Sequence, residues 1–179
     1  MHTLTAQLAP GVSLSQVARG KRLVELEFML PVGRLRAESL RAVLTDADNG
    51  LDAELRQAAQ SLDFSTVRGF FKGFIDLVFE QDGRYYLVDY KSNYLGADFS
   101  DYGRDGLARS VAKEHYYLQY LLYCVAIRRY FQARGVDFDA RFAGVRYLYM
   151  RGLNTQGYGI WIDRPSAVLL DRLDALFAV

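Results

Sequence analysis

The chain has 179 residues, the usual length of a single domain with one hydrophobic core. Hydrophobic residues make up 51% of it and charged residues 24%, so the composition predicts a folded globular protein and excludes a disordered or fibrous one. A single cysteine, Cys124, excludes an internal disulfide framework and a cysteine-based zinc site. The formal net charge of +1 does not indicate a partner, because a local basic patch can be hidden in a neutral total.

The N-terminal residues predict neither a membrane segment nor a regular element. No stretch approaches the roughly 20 apolar residues that span a bilayer, and the first residues lack the basic-then-apolar order of a signal peptide. A cytoplasmic location is therefore expected. Residues 1–20 show no sustained periodicity, and we interpret them as an extended lead-in to a domain that occupies residues 21–179.

A strand and two helices are predicted next. Residues 22–32 alternate imperfectly between polar and apolar side chains, which predicts a first strand that Pro31 closes. Helices are predicted over residues 37–45 and 51–62, with a polar turn at residues 46–50. This turn resembles a calcium-binding loop only superficially, because its glycine and its last acidic ligand are not at the required positions.

The strongest local pattern is a β-hairpin, in which residues 73–80 and 84–91 flank the turn dipeptide Asp82-Gly83. Downstream, the pattern predicts a long aromatic-rich helix, two strands and a closing amphipathic helix: residues 107–133, 142–150, 158–162 and 165–178. This order of elements predicts an α/β fold (an α+β mixed sheet) with helices packed on the sheet and no second domain.

Two acids and a lysine lie at one end of this hairpin. If Asp82-Gly83 is a two-residue loop, Asp76 faces Asp89 across the ladder, and Lys91 shares their face of the sheet. Directly opposed residues have Cβ atoms about 4.5–5.5 Å apart, a separation at which like charges destabilise a sheet. A compensating cation is therefore expected. A three-residue loop or a β-bulge would send Asp76 to the other face.

The residue types at this end of the hairpin suit phosphodiester hydrolysis. Carboxylates bind hard ions such as Mg²⁺, which can activate water and neutralise charge that develops at phosphorus. Lys91 could position that water or stabilise the transition state. The alternative from spacing alone is an Asp-Lys salt bridge with a protonated or solvated second Asp, an arrangement common on exposed hairpins.

The segments Gly-Phe-Ile-Asp-Leu-Val-Phe (residues 73–79) and Gly-Arg-Tyr-Tyr-Leu-Val-Asp-Tyr-Lys-Ser-Asn-Tyr-Leu-Gly (residues 83–96) closely resemble the C-terminal nuclease domains of the RecB type. These domains belong to the PD-(D/E)XK nuclease superfamily. The resemblance implies a restriction-endonuclease-like core with flanking helices. It also implies Mg²⁺ held by Asp76, Asp89 and the backbone carbonyl of Tyr90, with Lys91 catalytic. Mn²⁺ or Ca²⁺ could replace Mg²⁺ in binding.

The resemblance implies further positions. Gln119 and Tyr123 match the QxxxY motif of the RecB-type subgroup and would share one helical face. Glu27 resembles an additional acidic position near such sites, although Glu25 competes for it and a surface charge on a strand is an equal alternative. The basic residues Arg68, Lys72, Arg128 and Arg129 are candidates for DNA contacts no better than solvated surface charges.

Nucleases of this type also carry a metal-ligand His on a helix upstream of the first strand, and no matching motif is found here. His2 lies in the unpatterned leader, and His115 is interpreted as a packing or solvent-facing residue of the long helix. The chain is therefore expected to lack the N-terminal helix that carries the His motif and to be a fragment of a larger helicase-nuclease subunit. No ATP-binding GxxxxGK[ST] motif occurs.

The functional expectation from the resemblance is an exonuclease and endonuclease domain of the exodeoxyribonuclease V type. It would act on double-stranded DNA ends and single strands in double-strand-break repair and recombination, in the bacterial cytoplasm and associated with the nucleoid. RecC-like and RecD-like subunits, and the RecA recombinase, are the expected partners. Two alternatives stay open: a catalytically incomplete fragment that docks DNA or a RecA-like or RecC-like protein, and an unrelated α+β domain with a structural salt bridge.

Overall fold

The computed structural model describes residues 5–178, which contain seven strands, six α-helices and four short 3-10 helices. The strands are β1 (Gln7–Ala9), β2 (Val12–Ser13), β3 (Arg22–Leu35), β4 (Val67–Gln81), β5 (Arg84–Lys91), β6 (Phe142–Tyr149) and β7 (Ile160–Asp163). The helices are α1 (Ala37–Thr45), α2 (Ala53–Ala59), α3 (Arg104–Lys113), α4 (Tyr116–Gln132), α5 (Phe138–Arg141) and α6 (Ala167–Leu176). Short 3-10 helices lie at Leu14–Gln16, Arg19–Lys21, Ala47–Asn49 and Phe99–Tyr102.

The described residues form a five-stranded mixed sheet in the order β3-β4-β5-β6-β7. Strands β4 and β5 are antiparallel, β5 and β6 are parallel, and β6 and β7 are antiparallel. The predicted fold class, a mixed α/β sheet with flanking helices, is confirmed. None of the helices in residues 5–178 has the length and apolar character needed to cross a membrane.

The chain divides into two compact units. The first comprises Met1–Leu26, Ile75–Ser110 and Ala140–Arg164, and the second comprises Glu27–Phe74, Val111–Asp139 and Pro165–Val179. The long strands β3 and β4 each contribute residues to both units.

In the first unit, the N-terminal segment differs from the extended lead-in that was expected. Its described part contains the antiparallel pair β1 and β2. Five of its apolar side chains are buried in one cluster with the sheet residues Leu77, Phe79, Tyr86, Val88 and Leu148: Ala6, Leu8, Val12, Leu14 and Val17. Burying one Leu or Val side chain contributes about 1.5–3 kcal/mol to the free energy of folding. The N-terminal cover, which we define as residues 6–17, therefore stabilises one face of the sheet. The sequence did not reveal it, because strands of two and three residues are too short to show a period.

A buried arginine of the sheet forms a hydrogen bond with the N-terminal cover. Arg146 lies on β6 with only 6% of its surface exposed. Its Nε donates to the carbonyl of Leu8 at 2.7 Å, and its Nη1 donates to the carbonyl of Val145 at 2.9 Å. Burial lowers the pKa of Arg146, while Tyr86 and Asp163 oppose that shift. The guanidinium hydrogen bonds offset the cost of burying this charge.

The hairpin of β4 and β5 has the predicted two-residue loop. Asp82 and Gly83 have φ angles of 52° and 76°, the left-handed pair that a type I′ turn requires and that Asp-Gly adopts readily. Five consecutive pairs follow the predicted register: Gln81↔Arg84, Glu80↔Tyr85, Phe79↔Tyr86, Val78↔Leu87 and Leu77↔Val88. The bounds of β5 are as predicted, whereas β4 begins at Val67, six residues earlier than expected.

The first predicted strand also runs further than expected. Pro31 was expected to close it, but β3 continues through Pro31 to Leu35. Because β3 is at the edge of the sheet, a residue without an N–H is tolerated there.

In the second unit, the polar turn between α1 and α2 is a structural element. The side-chain amide of Asn49, fully buried, donates to the carbonyls of Val43 and Leu44, and its oxygen accepts from the amide of Leu51. The hydroxyl of Ser166 donates to the carbonyl of Asn49. These bonds explain why the turn carries a buried asparagine at position 49.

The long helix predicted over residues 107–133 is two helices. Helix α3 ends at Lys113 and α4 begins at Tyr116. Between them His115 has a φ of 52°, which ends regular α-helix, and its Nδ1 is 3.0 Å from the hydroxyl of Tyr117. Neither Gly nor Pro marks this break, so propensity alone predicted continuity.

Candidate active site

The two acids of the hairpin lie where the described ladder ends. The last described pair at this end of the ladder is Leu77↔Val88. Asp76 lies directly before Leu77 on β4, and Asp89 lies directly after Val88 on β5. Leu77 belongs to the apolar cluster on one face, so alternation directs Asp76 to the other face. The two-residue loop excludes the three-residue alternative, and the register is regular as far as Leu77↔Val88. The common face of Asp76 and Asp89 stays a prediction.

Asp76 is held against the backbone of the opposite strand. Its Oδ2 accepts a hydrogen bond of 2.9 Å from the amide of Tyr90, the residue after Asp89. Asp76 is only partly buried, whereas Asp89 has 4% of its surface exposed. Asp76 is thus the more accessible of the two carboxylates.

A short ion pair joins the buried acid to the lysine. Lys91 Nζ is 2.6 Å from Asp89 Oδ2, and Lys91 is 7% exposed. The salt bridge that spacing suggested is therefore present, but it is buried rather than on an exposed hairpin. Taking both charges out of water costs several kcal/mol per ion, which the pair must offset by close geometry and further contacts.

An aromatic ring supplies one of those contacts. Lys91 Nζ lies 4.5 Å from the ring centroid of Tyr147, which is fully buried on β6. The parallel register places Tyr147 beside Asp89, and Tyr149 beside Lys91. The sequence could not identify Tyr147 as a neighbour of Lys91, because no local pattern tells which strand lies beside β5.

The carboxylate of Asp76 also affects the pKa of the Tyr90 side chain. Desolvation raises the pKa of its hydroxyl, the negative charge of Asp76 raises it further, and Arg22 opposes the shift. Tyr90 therefore stays protonated at neutral pH and adds no third negative charge to the two acids.

The donor chemistry fits a hard divalent cation. Mg²⁺ commonly takes one or two protein carboxylates, keeps several waters and leaves room for phosphate oxygens. Within residues 5–178, no group of three His, Cys, Asp or Glu side chains is placed to hold a metal ion. The two carboxylates are oxygen donors, which suit a hard divalent cation.

The three supporting positions expected from the sequence belong to the second unit. Gln119 is half-buried on α4, and Tyr123 is buried on the same helix, where its ring packs edge-on against Phe28 at 5.4 Å. Glu27 is exposed on β3 and forms an ion pair of 2.6 Å with Lys72. Their part in the site stays a prediction.

Three of the four candidate basic residues also form ion pairs in the second unit. Besides the pair of Lys72, Arg128 Nη1 is 2.6 Å from Asp171 Oδ1, and Arg129 Nε is 2.5 Å from Asp174 Oδ1. These contacts explain the charges structurally and do not single them out for DNA.

Residues 5–167 match the PD-(D/E)XK nuclease superfamily, and the chain belongs to this superfamily. Nucleases of this superfamily generally use divalent metal ions.

Among curated proteins, the chain is similar to the RecBCD enzyme subunit RecB of several bacteria. It is 43% identical over 173 residues to that of Escherichia coli and 36% identical over 171 residues to that of Haemophilus influenzae. It is 33% identical over 188 residues to that of Mycolicibacterium smegmatis. These matches cover 94%, 93% and 94% of this chain but only 14%, 14% and 17% of the relatives. The chain thus spans between about one-seventh and one-sixth of the length of these relatives.

Proposed function

We propose that this chain hydrolyses DNA phosphodiester bonds in a Mg²⁺-dependent reaction, with Asp76, Asp89 and the backbone carbonyl of Tyr90 as metal donors and Lys91 as a catalytic residue. The observation that carries the proposal is the buried pair of Lys91 and Asp89 at 2.6 Å, beside Asp76 in a chain of the nuclease superfamily. A buried pair is often no more stabilising than apolar residues of similar volume, so stability alone does not account for it.

The residues have distinct tasks in this reaction. Mg²⁺, when bound, supplies a Lewis acid that activates water and neutralises charge at the phosphoryl group. The Asp76 carboxylate is oriented by the Tyr90 amide, and the Asp89 carboxylate by the Lys91 ammonium. Lys91 places a positive charge in a desolvated site, where it stabilises the negative charge of the transition state more strongly than it could in water.

The similarity to RecB extends the proposal to a biological setting. The relatives are named as subunits of the RecBCD enzyme, so we infer RecC-like and RecD-like partners and an exodeoxyribonuclease V type of activity. The DNA would be double-stranded ends and single strands, in double-strand-break repair and recombination. Contact with a RecA-like recombinase and a nucleoid-associated cytoplasmic location belong to the same proposal.

A second candidate function is docking of DNA or of a RecA-like or RecC-like protein without cleavage. One observation favours it: the part of the chain that the structure describes contains no three-residue His, Cys, Asp or Glu group for a metal. A docking module would retain DNA or protein binding but would not hydrolyse DNA under any metal condition.

Degradation of linear DNA by the 179-residue chain tests the proposal. We expect cleavage with Mg²⁺, none with EDTA, and loss of cleavage in Asp89→Ala and in Lys91→Ala. Asp63→Ala and Lys113→Ala change the same residue types at exposed positions and serve as surface controls, and thermal unfolding should show that each site variant is folded. Parallel assays with Mn²⁺ and Ca²⁺ separate metal binding from cleavage. Cleavage that survives chelation, or that both site variants retain, would refute the catalytic proposal; a wild-type chain that binds but never cleaves DNA would favour docking.

A further inference from the structure

Two loops leave the carboxyl ends of the parallel strands β5 and β6 side by side. The last ladder pair is Lys91↔Tyr149, and the amide of Met150 then donates to the carbonyl of Lys91 at 2.8 Å. One residue further, Arg151 Nε donates to the carbonyl of Ser92 at 2.8 Å. Ligands of open α/β sheets bind beyond the carboxyl ends of the strands, so this is where a substrate is expected.

An aromatic ring and a guanidinium face solvent at this point. Tyr94 is 67% exposed, and the guanidinium carbon of Arg151 lies 6.0 Å from the centroid of its ring. Both residues are exposed, although Arg151 is anchored to the Ser92 carbonyl. Tyr94 is three residues from Lys91, so at most about 10 Å of extended chain separates their Cα atoms.

Contacts with the buried residue Tyr102 hold the loop that carries Tyr94. The hydroxyl of Tyr102, a residue 3% exposed, accepts from the amide of Leu95 at 3.2 Å. The carbonyl of Tyr102 accepts from the amide of Gly159 at 3.0 Å. At Gly152 only glycine fits, because a Cβ there would lie 2.1 Å from the Tyr102 ring. These contacts join the two loops, so the backbone next to the exposed ring is ordered before any ligand binds, which lowers the entropic cost of binding.

We propose that Tyr94 and Arg151 form a stacking site for single-stranded DNA, in which a base stacks on the Tyr94 ring and Arg151 contacts the adjoining phosphate. The inference rests on the proposed function, because it supplies the substrate strand to the site of Asp76, Asp89 and Lys91. Aromatic rings that stack on bases, together with cations that follow the backbone, are how single strands are bound without sequence preference. A duplex has no free base face at its interior, so the site selects an unpaired strand.

Fluorescence anisotropy with a labelled oligothymidylate of about 16 nucleotides, in EDTA, tests this site apart from catalysis. We expect Tyr94→Leu to weaken binding about 5-fold to 150-fold, the range for loss of one stacked base, and Tyr94→Phe to bind as the wild type does. An abasic strand of equal length should bind Tyr94→Leu and wild type equally. Arg151→Ala should weaken the binding of both the oligothymidylate and the abasic strand. It should also lower the slope of log affinity against log salt concentration by about one.

Tyr130 provides a matched control. It is 38% exposed and has the guanidinium carbon of Arg134 3.5 Å from its ring centroid, but it belongs to helix α4 of the second unit. Tyr130→Leu should leave affinity for the oligothymidylate unchanged, and thermal unfolding should show that every variant is folded. Equal affinities of Tyr94→Leu and wild type, or equal losses in Tyr94→Leu and Tyr130→Leu, would overturn the inference.

The two proposals fail in different ways. If the wild type cleaves DNA with Mg²⁺ while Tyr94→Leu keeps full affinity for the oligothymidylate, the stacking site is refuted and the nuclease proposal stands. If the wild type cleaves no DNA but Tyr94→Leu loses affinity for the oligothymidylate and not for the abasic strand, the stacking site is supported and the nuclease proposal is refuted.

Discussion

The ring of Tyr147 faces the ammonium of Lys91, with 4.5 Å between the ring centroid and Nζ. The two residues are on adjacent parallel strands, two register positions apart, because Lys91 pairs with Tyr149 and Asp89 pairs with Tyr147. Since Lys91 also contacts Asp89, its ammonium is positioned from two sides by side chains that are themselves buried.

We therefore expect Tyr147→Leu to slow DNA cleavage, because a desolvated cation–π contact is worth about 2 kcal/mol, or roughly 30-fold in rate. The rate constant should fall while KM changes little, since Tyr147 acts through Lys91. Tyr147→Phe keeps the ring and should keep most of the rate. Single-turnover kinetics would measure this, and equal rates in Tyr147→Leu and the wild type would show that the ring does not position Lys91.

The buried pair of Lys91 and Asp89 predicts a non-additive effect on stability. Lys91→Met or Asp89→Asn alone should lower the free energy of unfolding by about 3–5 kcal/mol, because each leaves a buried polar or charged group without its partner. The double variant should lose less than the sum of the two. Urea denaturation measures the stability, and a DNA cleavage assay on the same samples should show no activity in any of the three. A double variant that recovers cleavage would contradict the proposed role of the pair.

The left-handed conformation at Gly83 of the hairpin turn can be tested by comparing Gly83→Ala with Gly20→Ala. Gly83 has a φ of 76°, so Gly83→Ala should destabilise the protein by about 1–2 kcal/mol. Gly20 has no positive φ, and a Cβ added to it would meet no atom within 4 Å, so Gly20→Ala should be neutral or stabilise by up to about 1 kcal/mol. Urea midpoints would measure both changes. If the two variants had equal stability, the left-handed conformation at Gly83 would not limit the hairpin.

A surface carboxylate next to the turn predicts a pH dependence. The hydrogen bond from Lys21 lowers the pKa of Glu80 most, and the amide of Gly83, 2.7 Å from Glu80 Oε1, lowers it further. Because the folded pKa is below the unfolded one, Glu80 stabilises the fold above its unfolded pKa, and this contribution is lost as the pH falls through the folded pKa.

Thermal midpoints between about pH 6 and about pH 3 measure this contribution. We expect the wild type to lose more stability over this range than Glu80→Gln. Lys21→Met should also reduce the loss, because Lys21 is the main cause of the shift. Parallel curves for the wild type and Glu80→Gln would show that the Glu80 contacts contribute nothing to folding.

Elements with a strong local pattern were predicted well. The bounds of α1 and β5 are as predicted, and the Asp82-Gly83 turn set the register of the hairpin. In each case the determining residues are neighbours in the chain: helix-forming side chains, a run of β-forming residues, and a dipeptide that adopts positive φ at both positions.

Elements decided by distant contacts were predicted poorly. The cover formed by β1 and β2 has too few residues for a period, and the cluster with Leu77 and Phe79 places it on the sheet. The break at His115 carries no Gly or Pro, and β3 passes Pro31 because it is an edge strand. Local propensity is a weak prior where tertiary packing decides the outcome.

The sequence by itself determined the two-residue turn, and with it the prediction that Asp76, Asp89 and Lys91 share one face of the sheet, because a strand has a period of two. Only the tertiary structure decided that Asp89 and Lys91 are buried, that Tyr147 adjoins Lys91 and that Arg151 meets Tyr94. Each of these facts depends on the parallel pairing of β5 and β6, strands 50 residues apart in the chain. No local pattern encodes that pairing.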